Sequence, residues 1–212
     1  WSGFIEFHIT ADVAFGVWQY YVCTGDQDYM DRCGYELIFD CARFWLSRLE
    51  PGEDGMLHMN DVVGPDEFKE HVNDNAFTNY MACWNMQKAV EYAEELQRDR
   101  PALYAALDRK LGLTELLPRW KEALPRVFLT RPNENGVLPQ DSTYLTLPDV
   151  DLTKYRNQAF VGGIYEDYNQ EQIIRMQVTK QADVMMLFCL LEEQFLESVK
   201  KASWDYYEPR TL

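Results

Sequence analysis

Residues 64–86 read GPDEFKEHVNDNAFTNYMACWNM, and the stretch changes character halfway. Gly64, Pro65, Asp66, Asn73 and Asp74 are turn formers, so the first half reads as a rigid loop. From Asn75 the apolar residues Phe77, Tyr80, Met81, Cys83, Trp84 and Met86 fall on nearly every face of a helix predicted to run to about Gln97. Such a helix is buried on several sides, and the loop ahead of it is therefore held by a packed scaffold. The loop carries two neighbouring acids, Asp66 and Glu67. Positioned carboxylates on scaffolded loops are what glycoside chemistry needs, one of them protonated near neutral pH to donate to a leaving oxygen. A solvated turn is the other reading of two acids after a proline. The polar set Asn73, Asp74, Asn75, Thr78 and Asn79 favours a ligand, because buried amides and hydroxyls need partners and a sugar's hydroxyls would supply them.

Outward from this stretch the pattern is helical. The spacing of Val13, Val17, Tyr20 and Tyr21 predicts a helix over 9–23, closed by Gly25-Asp26. A second is predicted from Gln27 to about Leu49, stopped by Pro51-Gly52. A polar segment over 53–75 follows, with short extended pieces near 56–59. Further helices are predicted at 101–111 and at 115–127, the latter interrupted or ended by Pro118 and Pro125. An irregular stretch covers 130–169, and helices follow at 170–177, 181–191 and 193–202. No alternating run reads as a strand, so the fold class expected is all-α.

Composition narrows the function classes. The 212 residues are 47% hydrophobic and 26% charged, which excludes a disordered chain. The formal charge is −15 without a basic cluster, and nucleic acid is not an expected partner. The apolar run from Val184 to Leu191 is far short of the roughly 20 residues that span a bilayer, so no membrane segment is expected. Five cysteines without a CxxC pair lie mostly in apolar helical stretches, predicting buried free thiols and a reducing, cytoplasmic setting. Three histidines without H-x3-H spacing leave little from which to build a zinc site. No signal peptide is visible, and the start without Met hints at a cut. Aromatic residues reach 14%, divided in expectation between core and sugar-stacking surfaces.

The 64–86 stretch resembles the signature of glycoside hydrolase family 65, which includes maltose, trehalose, kojibiose and nigerose phosphorylases. Other blocks are similar and collinear with it: HITADVAFGVWQYY (8–21), CARFW (41–45), DVDLTKYR (149–156), YEDYNQE (165–171) and RMQVTKQADVMML (175–187). The resemblance implies an all-α chain that is part of an (α/α)6 barrel, residues 1–212 being its central portion. It implies that an N-terminal β-sandwich, further barrel helices, and a serine-rich phosphate loop after Leu212 lie outside this sequence.

For chemistry, the resemblance implies inverting phosphorolysis of an α-glucoside to β-glucose 1-phosphate and a freed acceptor. Glu67 would be the general acid, with inorganic phosphate as co-substrate and no metal or organic cofactor. Phosphate is already an anionic nucleophile, so a second carboxylate to act as base is not needed and would repel it. Lys180 and Gln181 match the pair that holds ring hydroxyls in the glucose subsite; the plain alternative for Lys180 is a solvated lysine at a helix start. His8 and Asp12 lie one helical turn apart, toward the pocket mouth or in a core hydrogen bond. Asp66 and Asn79 complete the expected substrate contacts, and Glu70 either supports Glu67 as a like charge or is simply exposed. Two departures from the family pattern, Asp40-Cys41 for Glu-Thr and Lys69 for a frequent histidine, fall near where an acceptor sugar would sit. Two other readings compete: an inverting, trehalase-like hydrolase of the same family, and a non-catalytic helical fragment that self-associates through exposed faces. A homo-oligomer is expected.

Overall fold

Two compact units divide the chain, in a computed structural model that describes residues 2–156 and 158–212. The helical unit comprises His8–His58 and Asn79–Phe128, and the loop-rich unit comprises Trp1–Phe7, Met59–Thr78 and Leu129–Leu212.

In the helical unit, α1 (Ile9–Thr24) ends as its composition predicts: Gly25 adopts φ 66° and returns its N–H to the Tyr21 carbonyl. The long helix expected from Gln27 is instead a short turn, Gln27–Tyr29, a π-turn, Met30–Gly34, and α2 (Tyr35–Leu46). Met30 folds over Gly34 so closely that a Cβ there would lie 2.4 Å from its sulfur, so a larger residue at 34 would displace the Met30 side chain. α2 stops ahead of Pro51 because the Ser47 hydroxyl turns back onto the Phe44 carbonyl at 2.6 Å. Glu50–Pro51 then pairs antiparallel with Leu57–His58, which puts a strand in the extended piece expected near 56–59 and gives it a partner at 50–51.

α3 (Ala76–Asp99) starts in the loop-rich unit and continues through the helical one. From Ala76 to Met86 all its residues are buried except Cys83, which is half-buried, in keeping with the apolar character of each face. α4 (Pro101–Leu111) places Pro101 at the first position, where a missing N–H costs nothing. α5 (Leu113–Ala123) continues past Pro118 and closes in a 3-10 turn that contains Pro125. α2 packs against α1, α4 and α5. Indoles fill this core with their N–H groups satisfied: Trp45 Nε1 donates to Asn85 Oδ1 at 3.0 Å, and Trp120 Nε1 to the Ala42 carbonyl at 3.1 Å. Trp120 also stacks on Phe39, the ring centroids 6.2 Å apart. The cysteine expectation is corrected. All five thiols are free, but Cys23 and Cys189 are exposed and Cys33, Cys41 and Cys83 only half-buried.

In the loop-rich unit α6 (Gln170–Ile174) and α7 (Asp183–Leu190) are shorter than their periodicity predicts, and α8 (Glu197–Tyr207) starts and ends later than the helix expected over 193–202. Asn169 caps α6 with a reciprocal capping box to Gln172. The helix ends early because the Gln177 N–H is drawn off to the Pro148 carbonyl at 2.8 Å. Lys180 and Gln181 precede α7 because both are committed to the 64–67 loop, as described below. Phe68, Leu152, Tyr155, Ile164, Ile173 and Val178 form the local core beneath that loop.

Candidate active site

Val62 and Val72 exchange both backbone hydrogen bonds at 2.9 Å and close a loop over residues 63–71. Its flanks hold the non-glycine residues with left-handed backbone, Asp61 (φ 56°), His71 (φ 59°) and Asp74 (φ 51°). Aspartate and histidine are among the side chains that visit this region. His71 Nδ1 lies 2.6 Å from Asp61 Oδ1, which ties the two strained positions together.

The base of the loop is a buried polar knot. Asp66 is fully buried; its Oδ1 accepts from the backbone N–H of Phe68 at 3.2 Å and of Lys180 at 3.0 Å, and its Oδ2 accepts from Gln140 Nε2 at 2.8 Å. The Asp66 N–H donates to Asp183 Oδ1 at 2.7 Å, and Asn75 Nδ2 donates to Asp183 Oδ2 at 2.6 Å. Asp183 donates its own N–H to Gln140 Oε1 at 3.1 Å, which closes the knot. Burial pushes both carboxyls above the ordinary carboxylate range, Asp183 further because the Asp66 charge lies beside it. The glycine of the loop is explained here: a Cβ on Gly64 would lie 2.1 Å from Asp183 Oδ2 and 2.4 Å from Asn75 Nδ2.

This geometry revises two expectations. Asp66 offers no oxygen to a sugar, because both are spent inside the protein. The polar entry to α3 is likewise satisfied internally. Asn75 Oδ1 accepts from the Thr78 N–H and hydroxyl at 2.9 and 3.0 Å, and fully buried Asn79 gives its Nδ2 to the Phe128 carbonyl at 2.8 Å.

Glu67 is the acid that faces solvent. Its side chain is 60% exposed, and its Oε2 lies 2.5 Å from Lys180 Nζ, whose side chain is 35% exposed. Gln181 donates Nε2 to the Pro65 carbonyl at 2.5 Å. Lys180 is thus not a solvated lysine on a helix but part of the loop's own wall. Glu67 also accepts at its main-chain carbonyl from Gln170 Nε2 at 3.2 Å, and the Tyr165 hydroxyl donates to Gln170 Oε1 at 2.6 Å. Burial pushes the Tyr165 phenol up, and the Glu70 and Glu67 charges push it further. Glu70 itself is half-buried.

Lys69 corrects the expectation that it faces an acceptor. It is fully buried, and its ammonium donates to the carbonyls of Ile173 at 2.8 Å, Ile174 at 3.2 Å and Met176. It also lies over the Tyr144 ring, 5.5 Å from the centroid. Burial pulls the ammonium down to about 8, against the opposing charges of Asp66 and Asp141.

His8 and Asp12 belong to the helical unit: His8 is buried and its Nδ1 lies 2.8 Å from Oδ2 of Asp12, whose side chain is partly exposed. Asp40, in the same unit, pairs with Arg43 at 2.5 Å. Among the described residues no group of His, Cys, Asp or Glu is arranged to hold a metal ion, and no helix is long and apolar enough to cross a membrane. Sequence reading missed Gln140, Gln170 and Asp183. Gln140 lies in a stretch without period, but an acid at the head of the apolar α7 is a signal that Asp183 gave and that helix electrostatics explains.

The chain is similar to known proteins over its whole length. Residues 1–212 match the profile of the glycosyl hydrolase family 65 central catalytic domain. The chain is 41% identical to a kojibiose phosphorylase of Halothermothrix orenii over 100% of its own length and 27% of the relative's. It is 33% identical to an α,α-trehalose phosphorylase of Thermoanaerobacter brockii (99% of this chain, 27% of the relative) and 30% identical to a nigerose phosphorylase of Lachnoclostridium phytofermentans (97% and 28%). It thus spans little more than a quarter of these relatives. A solved structure of a candidate kojibiose phosphorylase from the human microbiome superposes with a TM-score of 0.83 at 28% identity, covering 96% of this chain and 28% of that one. The all-α build and that likeness bear out the expectation of part of an (α/α)6 barrel. The chain belongs to glycosyl hydrolase family 65, within its central catalytic domain.

Proposed function

We propose that the polypeptide carrying this chain is an inverting disaccharide phosphorylase that acts on an α-glucoside, with Glu67 as general acid. One observation carries the reading: of two adjacent acids on a rigid loop, the buried one is consumed as an anchor and the other is held out toward solvent beside an ammonium. Glu67 gives its proton to the glycosidic oxygen as that oxygen leaves C1. A phosphate oxygen attacks C1 from the opposite face, so the C1–O bond to the acceptor breaks and a C1–O–P bond forms. The proton of hydrogen phosphate then restores Glu67. The relatives named as kojibiose, trehalose and nigerose phosphorylases support this reaction class.

Lys180 and Gln181 serve the glucose. The Lys180–Glu67 pair is half in solvent, and such pairs contribute only about 0–1 kcal/mol. A glucose hydroxyl therefore displaces it at little cost, taking the ammonium and freeing the Glu67 oxygen for the leaving group. Inorganic phosphate is the co-substrate, and the mechanism uses no metal or organic cofactor.

The test is Glu67→Gln in the full-length polypeptide, with β-glucose 1-phosphate measured from a panel of α-disaccharides. We expect phosphorolysis to fall by at least about 100-fold with the fold intact. Near-normal turnover would overturn the assignment of the acid. Glucose released at equal rates with and without phosphate would replace the phosphorylase by the trehalase-like hydrolase.

A further inference from the structure

Residues 67, 68 and 69 all attach to one short helix. Gln170, the first residue of α6, holds the Glu67 carbonyl at 3.2 Å. Phe68 packs with Ile173 in the core beneath the loop. Lys69 reaches the other end of α6 and donates to the carbonyls of Ile173, Ile174 and Met176. Two of those carbonyls, on Ile173 and Ile174, lie at the C-terminal end of α6, where a cation suits the helix carbonyls, and the third, on Met176, lies just beyond it. α6 is therefore gripped at both ends by the residues on either side of Phe68.

Lys69 is the only buried lysine or arginine among the described residues. An ammonium that is half a salt bridge at the surface loses little by moving, whereas one buried on three carbonyls is fixed in place.

Resting on the reading of Glu67 as general acid, we propose that α6 is the mount of that acid, with Gln170 and Lys69 as positioning residues. Gln170 fixes the Glu67 main chain from one side of the loop, as Lys180 restrains its carboxylate from the other. Tyr165 orients the Gln170 amide through its hydroxyl, which leaves the Nε2 hydrogens facing the Glu67 carbonyl.

The experiment compares two substrates in the full-length polypeptide: an α-disaccharide whose departing oxygen needs a proton, and α-glucosyl fluoride, whose departing fluoride needs little help. In the second reaction phosphate attacks C1, the C1–F bond breaks and fluoride leaves with the electron pair. Gln170→Met should lower kcat on the disaccharide by about 10- to 100-fold with KM within about twofold, because misplacing a catalytic group by about 1 Å costs that much. On the fluoride the loss should stay under about threefold. Lys69→Met should show the same skew, and Lys69→Arg should recover part of the disaccharide rate. Should Lys69→Met fail to fold, Gln170→Met decides alone. Equal losses on both substrates in Gln170→Met would overturn the mount and leave the role of Glu67 standing. Glu67→Gln, run beside it, should lose the disaccharide and keep the fluoride; if it keeps both, the acid assignment falls and the mount falls with it.

Discussion

The two units handle buried polarity differently. In the helical unit the interior hydrogen bonds are mostly neutral: indole to amide at Trp45–Asn85, indole to carbonyl at Trp120–Ala42, amide to carbonyl from Asn85 Nδ2 to Ile38 at 3.1 Å. Under the acid loop they involve ionisable groups, with Asp66, Asp141 and Asp183 all buried and Lys69 buried near two of them. Neutral pairs cost little to desolvate and let a core pack uniquely. Buried charges cost far more, and replacing them with apolar residues often stabilises a protein. Their concentration below Glu67 implies that position, more than stability, is what this part of the chain retains.

The comparison breaks most visibly at Gly64. Gly64→Ala drives a methyl into the Asp183–Asn75 contact, which has no room for it. We expect a loss of about 3 kcal/mol or more, at the upper end for overpacking, together with loss of phosphorolysis. Hydrogen exchange should locate the disruption in residues 62–75 and spare α2 and α5. Uniform deprotection of both units would contradict the separation drawn here.

A pH titration sharpens the same contrast. Free lysine titrates near 10.4, and buried Lys69 at about 8. Between those values the unfolded chain holds the extra proton, so stability rises as pH climbs from about 8 to 10.4, by at most about 3 kcal/mol. Thermal unfolding of Lys69→Met should lack that rise. A slope unchanged by the substitution would assign it to other groups.

In the helical unit, Trp45→Phe removes part of a fully buried ring and leaves Asn85 Oδ1 without its donor. A cost of about 1–3 kcal/mol is expected, read as a lower Tm, with kcat unchanged. The smallest effect on stability belongs to Lys180→Met, which removes a half-exposed pair. Tm should move by under about 1 kcal/mol equivalent while KM for the disaccharide rises severalfold. A large fall in Tm would show that Lys180 anchors the loop rather than serving the sugar.

Local chemistry made much of the helical unit legible before any coordinates. α4 spans the residues 101–111 expected of it, and α1 closes at Gly25, where closure is expected, in a left-handed turn. The π-turn at Met30 was not legible, since it depends on a side chain folding over Gly34. In the acid loop, Glu67 and Lys180 are picked out by motif, but their contact joins residues 113 apart in sequence. Lys69 reads as solvent-exposed on any polarity scale, and nothing local reveals the three carbonyls, more than 100 residues away in sequence, that receive its ammonium. Asp66 and Glu67 look alike as adjacent acids. Only the placement of Asp183, Gln140 and Asn75 tells the buried anchor from the exposed acid.

That placement bears on how the loop can be moved between proteins. The Asp66 N–H finds its partner 117 residues away, and the Asp66 carboxylate finds Gln140 74 residues away. A graft of residues 64–71 alone would carry the exposed Glu67 carboxylate into a host without its moorings. Transplanting the chemistry requires four separated segments at once: the loop itself, the start of α3, the turn at Gln140, and the run from Gln170 into α7.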